Sequence, residues 1–528
     1  MNRARGAGIP NIILTGFMGT GKTSVGRKVA ERLGRPFVDM DSVIESRQGV
    51  TISELFASQG EPHFRRIESE LCRDLASRGS QVVATGGGAL VSEDNLRIMS
   101  QSGIVICLTG RPDELRRRLA GSANRPMLDG PNGAQRLEEL MESRASAYAR
   151  IPHQVDTSGL SPDQVADRVV HVWDQQRTTL NIRGAQGEYQ VVVGRGLLAT
   201  TGQALRALGF SRQSALITDS NVAPLHAMPL VRSLVAAELS HAICLMPAGE
   251  EHKVLATVSD LYDRLIAARL ERRDPVLALG GGVVGDVAGF CAATYLRGVP
   301  LVQLPTTLLA MIDSSVGGKA AVDHPSGKNL IGCFKDPHLV MADLDTLATL
   351  PQRQISNGMA EIIKHGIIAD PPLFEALGLG IVPWHELVVR AIVVKKDVVE
   401  TDPYEQGVRA WLNMGHTFGH ALEACTSYAM QHGEAVSIGL AAAAHLSERL
   451  GIAEQGLADR IEVVLQRQGL PIRHHGLMAQ DLVCAMGSDK KRRDGKLNFV
   501  LPTSIGQVVT TDTVPASEVL AAWEHVLS

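Results

Sequence analysis

Residues 11–34 constrain the fold more than any other segment. They comprise a short apolar run, a glycine-rich turn and a helical pattern of apolar residues, which predicts a strand, a loop and a helix in that order. The turn satisfies G-x-x-x-x-G-K-[ST], in which backbone N–H groups surround phosphates, lysine adds positive charge and the hydroxyl binds Mg²⁺. The pattern therefore predicts a nucleotide site formed by Gly16, Gly19, Gly21, Lys22 and Thr23.

Five further motifs follow, and with them residues 10–170 resemble shikimate kinase. The motifs are VDMD (38–41), HFRRIE (63–68), ATGGG (84–88), NRPML (124–128) and SRASAY (143–148). We expect Asp39 and Asp41 of VDMD to end a second strand. The resemblance implies ATP with Mg²⁺, the ion being held by Thr23 and, through water, by Asp39. It implies that Arg125 is a lid arginine at the transferred phosphate and that shikimate binds to Asp41, Arg65, Gly87 and Arg144. Arginines suit this role because their guanidinium forks bind carboxylates.

Three alternatives for the first part of the chain remain open from its motifs alone. Nucleoside monophosphate kinases and gluconate kinases share the phosphate loop, and the loop could also serve a non-catalytic nucleotide sensor. The combination of Asp41, Arg65 and the GGG turn favours shikimate. The arginine run 116–118 is interpreted as a solvated helix face and is not included in the site.

The polar segment 173–179, WDQQRTT, has no periodicity and is predicted to be a linker after a kinase domain at 1–172. Beyond it, strand-like and helical stretches alternate, which predicts an α/β domain with a parallel sheet at 180–350. In VLALGGGVVGD (276–286) a buried strand leads into glycines and a helix, as at pyrophosphate sites. From 351 to 528 the periodicity becomes helical, and we expect an α-helical domain without strands.

Three histidines near residue 420 indicate a metal site in that helical region. His416 and His420 are four residues apart, so on a helix they lie on the same face, and His432 follows shortly after. Upstream, Glu361 and Lys364 interrupt an apolar helical stretch, where unpaired charges are costly. One glutamate with two histidines would form an open site for a divalent metal.

The second half of the chain resembles 3-dehydroquinate synthase over nearly its whole length, through MAEIIK, GHTFGH, HGE and several other motifs. The resemblance implies that Glu361, His416 and His432 hold Zn²⁺ or Co²⁺, and that His420 is a catalytic pocket residue but not a ligand. It implies NAD⁺ contacts at Asp219, Asn221, Glu250, Lys253, Gly282, Asp286, Thr306 and Thr307. It places catalytic Lys319 and a substrate set at Arg297, Asp313, Lys328, Asn329, Lys395, Arg409, Asn413 and Lys490. Arg297 is expected to reach the site of a neighbouring subunit, which implies a homodimer through this half. Glycerol-dehydrogenase-like oxidoreductases, which also place a metal and NAD between two domains, are the alternative.

Composition narrows the partners to small molecules. A net charge of −4 provides no basic field for nucleic acid or anionic membranes, and no apolar run approaches the ~20 residues of a membrane span. The seven cysteines form no CxxC pair, which favours reduced thiols and a cytoplasmic location. The two resemblances together predict a bifunctional enzyme of aromatic biosynthesis. It would phosphorylate shikimate, and it would convert the seven-carbon keto-sugar phosphate DAHP to 3-dehydroquinate, two steps that are not adjacent.

Overall fold

The structure is a computed structural model that describes residues 9–119, 133–380, 382–427, 429–486 and 497–528. Residue contacts divide the chain between Gln176 and Arg177 into two compact units. The helix before this division ends at Asp174, and the next strand begins at Thr178. Within the described ranges, no helix is both long and apolar enough to cross a membrane.

The first unit is a five-stranded parallel sheet of order β2-β3-β1-β4-β5, with helices on both faces. Its strands are β1 (Asn11–Gly16), β2 (Phe37–Asp39), β3 (Val82–Ala84), β4 (Gly103–Thr109) and β5 (His153–Asp156). Its helices are α1 (Lys22–Leu33), α2 (Met40–Gln48), α3 (Ile52–Ala76), α4 (Glu93–Ser102), α5 (Pro112–Leu119), α6 (Gly133–Ala149) and α7 (Pro162–Asp174).

Alternating side chains of the central strand β1 build two separate cores. Ile12 and Leu14 pack with α1, α7 and Trp173 on one face, whereas Ile13 packs with α3 and α4 on the other. This follows from the two-residue period of a strand, and a sheet covered on both faces needs apolar residues throughout. The parallel sheet that was predicted for this part of the chain is therefore confirmed.

The second unit is built on a seven-stranded sheet of order β6-β7-β14-β11-β10-β8-β9. Its strands are β6 (Thr178–Arg183), β7 (Glu188–Gly194), β8 (Gln213–Asp219), β9 (Ser240–Met246), β10 (Val276–Gly280), β11 (Leu301–Pro305) and β14 (Leu339–Asp343), and β12 (Lys319–His324) pairs with β13 (Gly327–Phe334) in a separate hairpin. The helices beside the sheet are α8 (Thr201–Ala207), α9 (Ala223–Ala236), α10 (Leu255–Ala267) and α11 (Gly282–Thr294).

The large sheet is parallel except at one edge. β6 and β7 are antiparallel, because the four residues 184–187 between them form a tight turn with no room for a crossover helix. The sequence pattern predicted a helical stretch between each strand and the next, so it missed this hairpin.

After residue 351 the chain is mainly helical, as predicted. The helices are α12 (Gln352–Ala369), α13 (Pro371–Leu379), α14 (Trp384–Thr401), α15 (His416–Cys425), α16 (His432–Arg449), α17 (Leu457–Arg467), α18 (Ala479–Met486) and α19 (Ala516–Leu527). The expectation that strands stop here was wrong, because β15 (Phe499–Ser504) and β16 (Gln507–Thr511) form an antiparallel hairpin. The α16 helix packs against α12, α15, α17 and α19, so it forms the centre of this region.

Candidate functional sites

The phosphate loop of the first unit adopts the backbone that its glycines permit. Gly16, Gly19 and Gly21 have φ values of 132°, 82° and 87°, which other residues rarely adopt, and α1 begins immediately afterwards at Lys22. The Lys22 ammonium donates to the carbonyl of Gly16 at 2.9 Å. A lysine at the first turn of this helix and a ring of N–H groups are suited to bind a polyphosphate.

Two acidic residues at and just after the end of β2 extend this site. Thr23 Oγ1 donates to Asp39 Oδ2 at 2.7 Å, which places the two predicted Mg²⁺ residues side by side. Asp39 also caps α2 by accepting from the Ser42 N–H. Asp41 lies in the first turn of α2 and not at the end of the strand, where the sequence placed it, because Asp39 already ends β2.

The glycine turn after β3 is the point at which the predicted shikimate residues converge. A Cβ atom at Gly86 would lie 2.8 Å from Asp41 Oδ1, and one at Gly88 would lie 2.7 Å from Arg65 Nη1. Arg144 donates to the Gly87 carbonyl at 2.8 Å. Only glycine allows so many charged groups to approach one turn. The structure thus brings together all four predicted shikimate residues, whereas Arg125 lies outside the described residues.

The sequence missed two residues around this turn and one beside the phosphate loop. Glu68 is buried and binds Arg65 at 2.7 Å, and burial raises the pKa of its carboxyl above the usual value despite that arginine. Tyr148 donates to the Gly87 carbonyl beside Arg144. Arg118, which was interpreted as part of a solvated face, approaches the Gly19 carbonyl at 3.4 Å. A run of three arginines on a short helix contained no signal that one of them turns inward.

The predicted NAD⁺ residues of the second unit cluster at the carboxyl ends of adjacent strands. Asp219 ends β8, Gly282 follows β10 at the start of α11, and Thr306 and Thr307 follow β11. These three strands are neighbours in the sheet, and dinucleotides bind at this edge of parallel sheets. Asp219 accepts hydrogen bonds from two N–H groups of the turn that follows β8, at 2.8 and 2.9 Å.

Three of the remaining predicted NAD⁺ residues, Glu250, Lys253 and Asp286, belong to an ion network, whereas Asn221 is exposed in the turn after β8. Lys253 is buried and pairs with Asp286 at 2.5 Å, while it also donates to Asn329 Oδ1 at 2.6 Å. Burial would lower the pKa of Lys253, but Asp286 and Glu250 outweigh it and raise the pKa. Lys328 approaches Glu250 at 3.3 Å. This network therefore links the expected NAD⁺ residues to the hairpin β12–β13, which carries expected substrate residues.

A buried glutamate and two histidines form a metal-binding cluster. Glu361 on α12 is fully buried, and its Oε1 lies 3.5 Å from His416 Nε2 and 3.6 Å from His432 Nε2. One potential ligand atom from each residue lies within 4.8 Å of the others. A carboxylate with two imidazoles is a donor set that binds divalent zinc or cobalt, so these residues fit the metal implied by the resemblance.

The charges around this cluster are strongly coupled. Burial would raise the pKa of Glu361, but Lys364, which contacts its carboxylate, and His432 hold the pKa well below its usual value. Burial would lower the pKa of His432, but Glu361 and Glu423 raise it to about 9. His420 lies beside the cluster, with its ring centre 5.6 Å from that of His416 and 6.4 Å from that of His432.

Asp313, one of the predicted substrate residues, lies beside Glu361 of this cluster, and several of the others make paired contacts. Lys395 on α14 donates to the Asp313 carbonyl at 2.6 Å and contacts its carboxylate. Arg409 donates to the Gly317 carbonyl at 3.0 Å, next to Lys319. Arg297 does not take part in these contacts. It is exposed on a turn in which it and Leu296 both have positive φ. Lys490 lies outside the described residues.

One further residue of the substrate region was not identified from the sequence, and another was noted there but given no role. Glu405 contacts Lys319 and accepts from Asn413 at 3.3 Å, and Lys364 is buried against Glu361. Lys364 did carry a signal, since a lysine on an apolar helix requires a partner. Glu405 carried none, because it lies in a polar stretch between α14 and α15.

Comparisons with known proteins match both units. The family model for shikimate kinase matches residues 18–174, and those for the 3-dehydroquinate synthase N-terminal and C-terminal regions match 243–357 and 358–492. A 3-dehydroquinate synthase from Symbiobacterium thermophilum is 44% identical over 337 residues, which cover 62% of this chain and 94% of that protein.

Two solved structures show the same architecture as the second unit. The 2-epi-5-epi-valiolone synthase from Streptomyces hygroscopicus, with NAD⁺ and Zn²⁺ bound, is 29% identical with a TM-score of 0.58, and the match covers 64% of this chain and 96% of that one. A 2-deoxy-scyllo-inosose synthase complexed with carbaglucose-6-phosphate, NAD⁺ and Co²⁺ is 26% identical with a TM-score of 0.60, and the match covers 66% of this chain and all of that one.

The second unit thus has the fold of the sugar phosphate cyclases, and the first has that of a phosphate-loop kinase. More specifically, the chain belongs to the 3-dehydroquinate synthase family and carries a shikimate kinase domain ahead of the synthase region. It is a bifunctional enzyme of the shikimate pathway, which confirms the predicted function. The comparisons do not favour the glycerol-dehydrogenase-like and nucleotide-sensor alternatives.

Proposed function

We propose that the first unit phosphorylates shikimate with the residues gathered around its two glycine turns. Backbone N–H groups of the phosphate loop and Lys22 would hold the ATP phosphates, while Thr23 and Asp39 would hold Mg²⁺. Bound Mg²⁺ would neutralise charge on the phosphates. Arg65 and Arg144 would bind the shikimate carboxylate by forked hydrogen bonds, because both guanidinium groups lie against the Gly86–Gly88 turn.

Asp41 would orient the shikimate hydroxyls, and Arg125 would close over the transferred phosphate. The turn supports this arrangement, since a Cβ atom at Gly87 would lie 3.7 Å from the Met18 N–H nitrogen of the phosphate loop. The acceptor and the donor would therefore be held next to each other. Phosphoryl transfer needs little more from a protein than such positioning and positive charge.

We propose that the second unit converts DAHP to 3-dehydroquinate and phosphate. One Zn²⁺ or Co²⁺ would be held by Glu361, His416 and His432. NAD⁺ would be held by Asp219, Asn221, Glu250, Lys253, Gly282, Asp286, Thr306 and Thr307. The bound metal would polarise substrate oxygens, and bound NAD⁺ would accept a hydride from a ring carbon and return it.

Residues of the chain would hold the substrate and move its protons. Lys319, Lys328, Asn329 and Arg409 would bind the phosphate and other substrate groups. Lys328 and Asn329 belong to the ion network around Lys253, whereas Arg409 donates to the Gly317 carbonyl just before Lys319 at the start of β12. Lys395 and Asp313, which are paired, would contact the ring hydroxyls together with Asn413. His420 would act on substrate protons without holding the metal, because its ring lies beside those of both histidine ligands.

The proposed assembly is a homodimer formed through the second unit. Arg297 supports it, because an exposed arginine on a turn with two successive positive φ values is presented to an external group. Its partner would be the site of a second copy of the chain. We further propose a cytoplasmic enzyme that binds small molecules and not nucleic acid, with domains at 1–172, 180–350 and 351–528. The linker proposed at 173–179 narrows to residues 175–177, because α7 extends to Asp174 and β6 begins at Thr178.

The observation that carries the synthase proposal is the convergence of the two histidine Nε2 atoms on the buried carboxylate of Glu361. The test is to incubate the full chain, loaded with Zn²⁺, with DAHP and a trace of NAD⁺, and to measure phosphate, 3-dehydroquinate and free NADH. We expect many turnovers per NAD⁺ with equal amounts of phosphate and 3-dehydroquinate. NADH formed in amounts equal to the substrate consumed would instead identify a dehydrogenase. Turnover of glucose 6-phosphate without turnover of DAHP would identify a cyclase of different specificity.

A further inference from the structure

The two histidines that face Glu361 each have an oxygen atom close to their second ring nitrogen. His416 Nε2 points to Glu361 while its Nδ1 lies 3.1 Å from the carbonyl oxygen of Met414. His432 Nε2 also points to Glu361, and its Nδ1 lies 3.4 Å from Oε1 of Glu423. Each ring thus has one nitrogen toward the metal-binding cluster and the other toward an oxygen acceptor. The acceptor is part of the backbone for His416 but is a side chain for His432.

Glu423 is a buried acidic residue without an assigned role. Only 7% of it is exposed, and it lies on α15 seven residues after His416, on the same face of the helix. The α15 helix packs against α16, which begins at His432, so the carboxylate faces that imidazole from the neighbouring helix. A buried carboxylate is costly unless it is paired, and His432 lies at ion-pair distance from Glu423.

We propose that Glu423 is a positioning residue that holds His432 with its proton on Nδ1, so that the lone pair of Nε2 points toward the metal. The inference rests on the proposed role of His432 as a metal ligand. Histidine ligands generally donate their second N–H to a carboxylate or a carbonyl, which fixes the ring orientation and makes the ligating nitrogen more basic. Losing such a partner typically weakens metal binding by about 10–100-fold.

The test compares Glu423→Ala and Glu423→Gln with the unchanged full chain. Zinc affinity is measured by competition with a chromogenic chelator, and the visible spectrum of the cobalt-loaded protein reports the ligand geometry. We expect Glu423→Ala to lose about 10–100-fold in zinc affinity and to shift the cobalt bands. Glu423→Gln keeps an oxygen acceptor of the same size and should recover part of the affinity. At saturating metal, KM for DAHP should stay near its normal value.

Glu462→Gln is the matched control. Glu462 on α17 is also a largely buried carboxylate beside a histidine, since it lies 3.0 Å from His525 Nε2 and 2.9 Å from Arg473 Nη1. Its loss would perturb the same helical region without touching His432. We expect its zinc affinity and cobalt spectrum to match those of the unchanged chain. An equal loss of affinity in this control would mean that helix packing, and not contact with the ligand, explains the Glu423 result.

His432→Ala separates a failure of this inference from a failure of the ligand assignment. If His432→Ala loses zinc while Glu423→Ala and Glu423→Gln bind it within twofold of normal and keep the cobalt spectrum, Glu423 does not position the ligand. If His432→Ala itself retains normal zinc affinity, the proposed ligand set is wrong and the inference fails with it. If Glu423→Ala does not fold, the isosteric Glu423→Gln variant provides the test. A cobalt spectrum and zinc affinity equal to those of the unchanged chain would then contradict the proposal.

Discussion

Substitution of Gly433 by alanine tests how closely two helices must approach to form the metal site. Gly433 follows His432 in the first turn of α16, and its N–H contacts the Asn357 side chain on α12, the helix that also carries Glu361. A Cβ atom at Gly433 would lie 2.4 Å from the Asn357 carbonyl oxygen and 2.5 Å from its Cα. Both contacts involve backbone, so a side-chain rotation cannot relieve them.

The expected magnitude follows from this geometry. Carbon–oxygen contacts need about 3.3 Å or more, so the start of α16 must move away from α12 by about 1 Å. Such overpacking costs about 1–3 kcal/mol, whereas alanine in place of glycine in a helix contributes up to about 1 kcal/mol of stability, so the net loss is about 1–2 kcal/mol. Metal–ligand distances tolerate only about 0.2 Å, so moving His432 from Glu361 by this amount should reduce zinc affinity at least about tenfold.

The assay measures zinc bound per chain against a graded chelator series, together with the melting temperature of the metal-free protein. Gly380→Ala is the control, because Gly380 has an extended backbone and no atom within 4 Å of the added Cβ, and it lies in the same helical region. We expect Gly380→Ala to match the unchanged chain in both measurements. Normal zinc affinity and stability in Gly433→Ala would refute the argument that this close approach sets the distance between His432 and Glu361.

Four other outcomes are expected. Lys22→Ala should abolish shikimate phosphorylation but leave 3-dehydroquinate formation within a few-fold of normal in coupled assays, and collapse of both activities in folded protein would show that the units are energetically coupled. His432→Ala should lose zinc, whereas His420→Ala should keep zinc but form 3-dehydroquinate slowly. Metal analysis showing zinc loss only in His420→Ala would mean that His420, and not His432, is the ligand. Burial and a neighbouring lysine lower the pKa of His365 from 6.5 to about 3, so the unfolded chain binds more protons below pH 6.5 and stability falls as pH falls. Between pH 7 and 5 the free energy of unfolding, measured with urea, should therefore fall by about 2 kcal/mol. His365→Phe should not show this fall, and the same pH dependence in both proteins would contradict the prediction. Arg390→Met should destabilise the fold by about 3–5 kcal/mol, because two carboxylates lose their buried partner, and a melting temperature within a degree of normal would exclude this.

Features encoded in contiguous segments were predictable from the sequence. The phosphate loop from Gly16 to Thr23 depends on glycine backbone angles and on the strand and helix that flank it, and the structure shows each of these. The alternation of strands and helices predicted parallel sheets, and the comparisons confirmed the fold class and both activities. The roles of individual residues stay predictions, as do the homodimer and the cytoplasmic location.

Two features that the sequence did not predict lie in short segments whose local pattern carries little information. The β15–β16 hairpin follows a long helical stretch, and strands this short are stabilised by the helices that they pack on, such as α16, more than by their own pattern. The inward turn of Arg118 could not be seen, because every residue of a three-arginine run has the same local pattern.

The sequence by itself determined which residues could bind phosphate, NAD⁺ or metal, because these residue types and their spacings follow from the chemistry of the ligand. The resemblance implied that Glu361, His416 and His432 form one set, but residue spacing alone did not, and only the tertiary structure decided how these residues meet. His416 and His420 share one helix face, yet the Nε2 atoms that lie 3.5 and 3.6 Å from Glu361 belong to His416 and His432. The packing of α12, α15 and α16 sets these distances. This packing depends on apolar burial across the whole helical region, so no local pattern of charged residues predicts it.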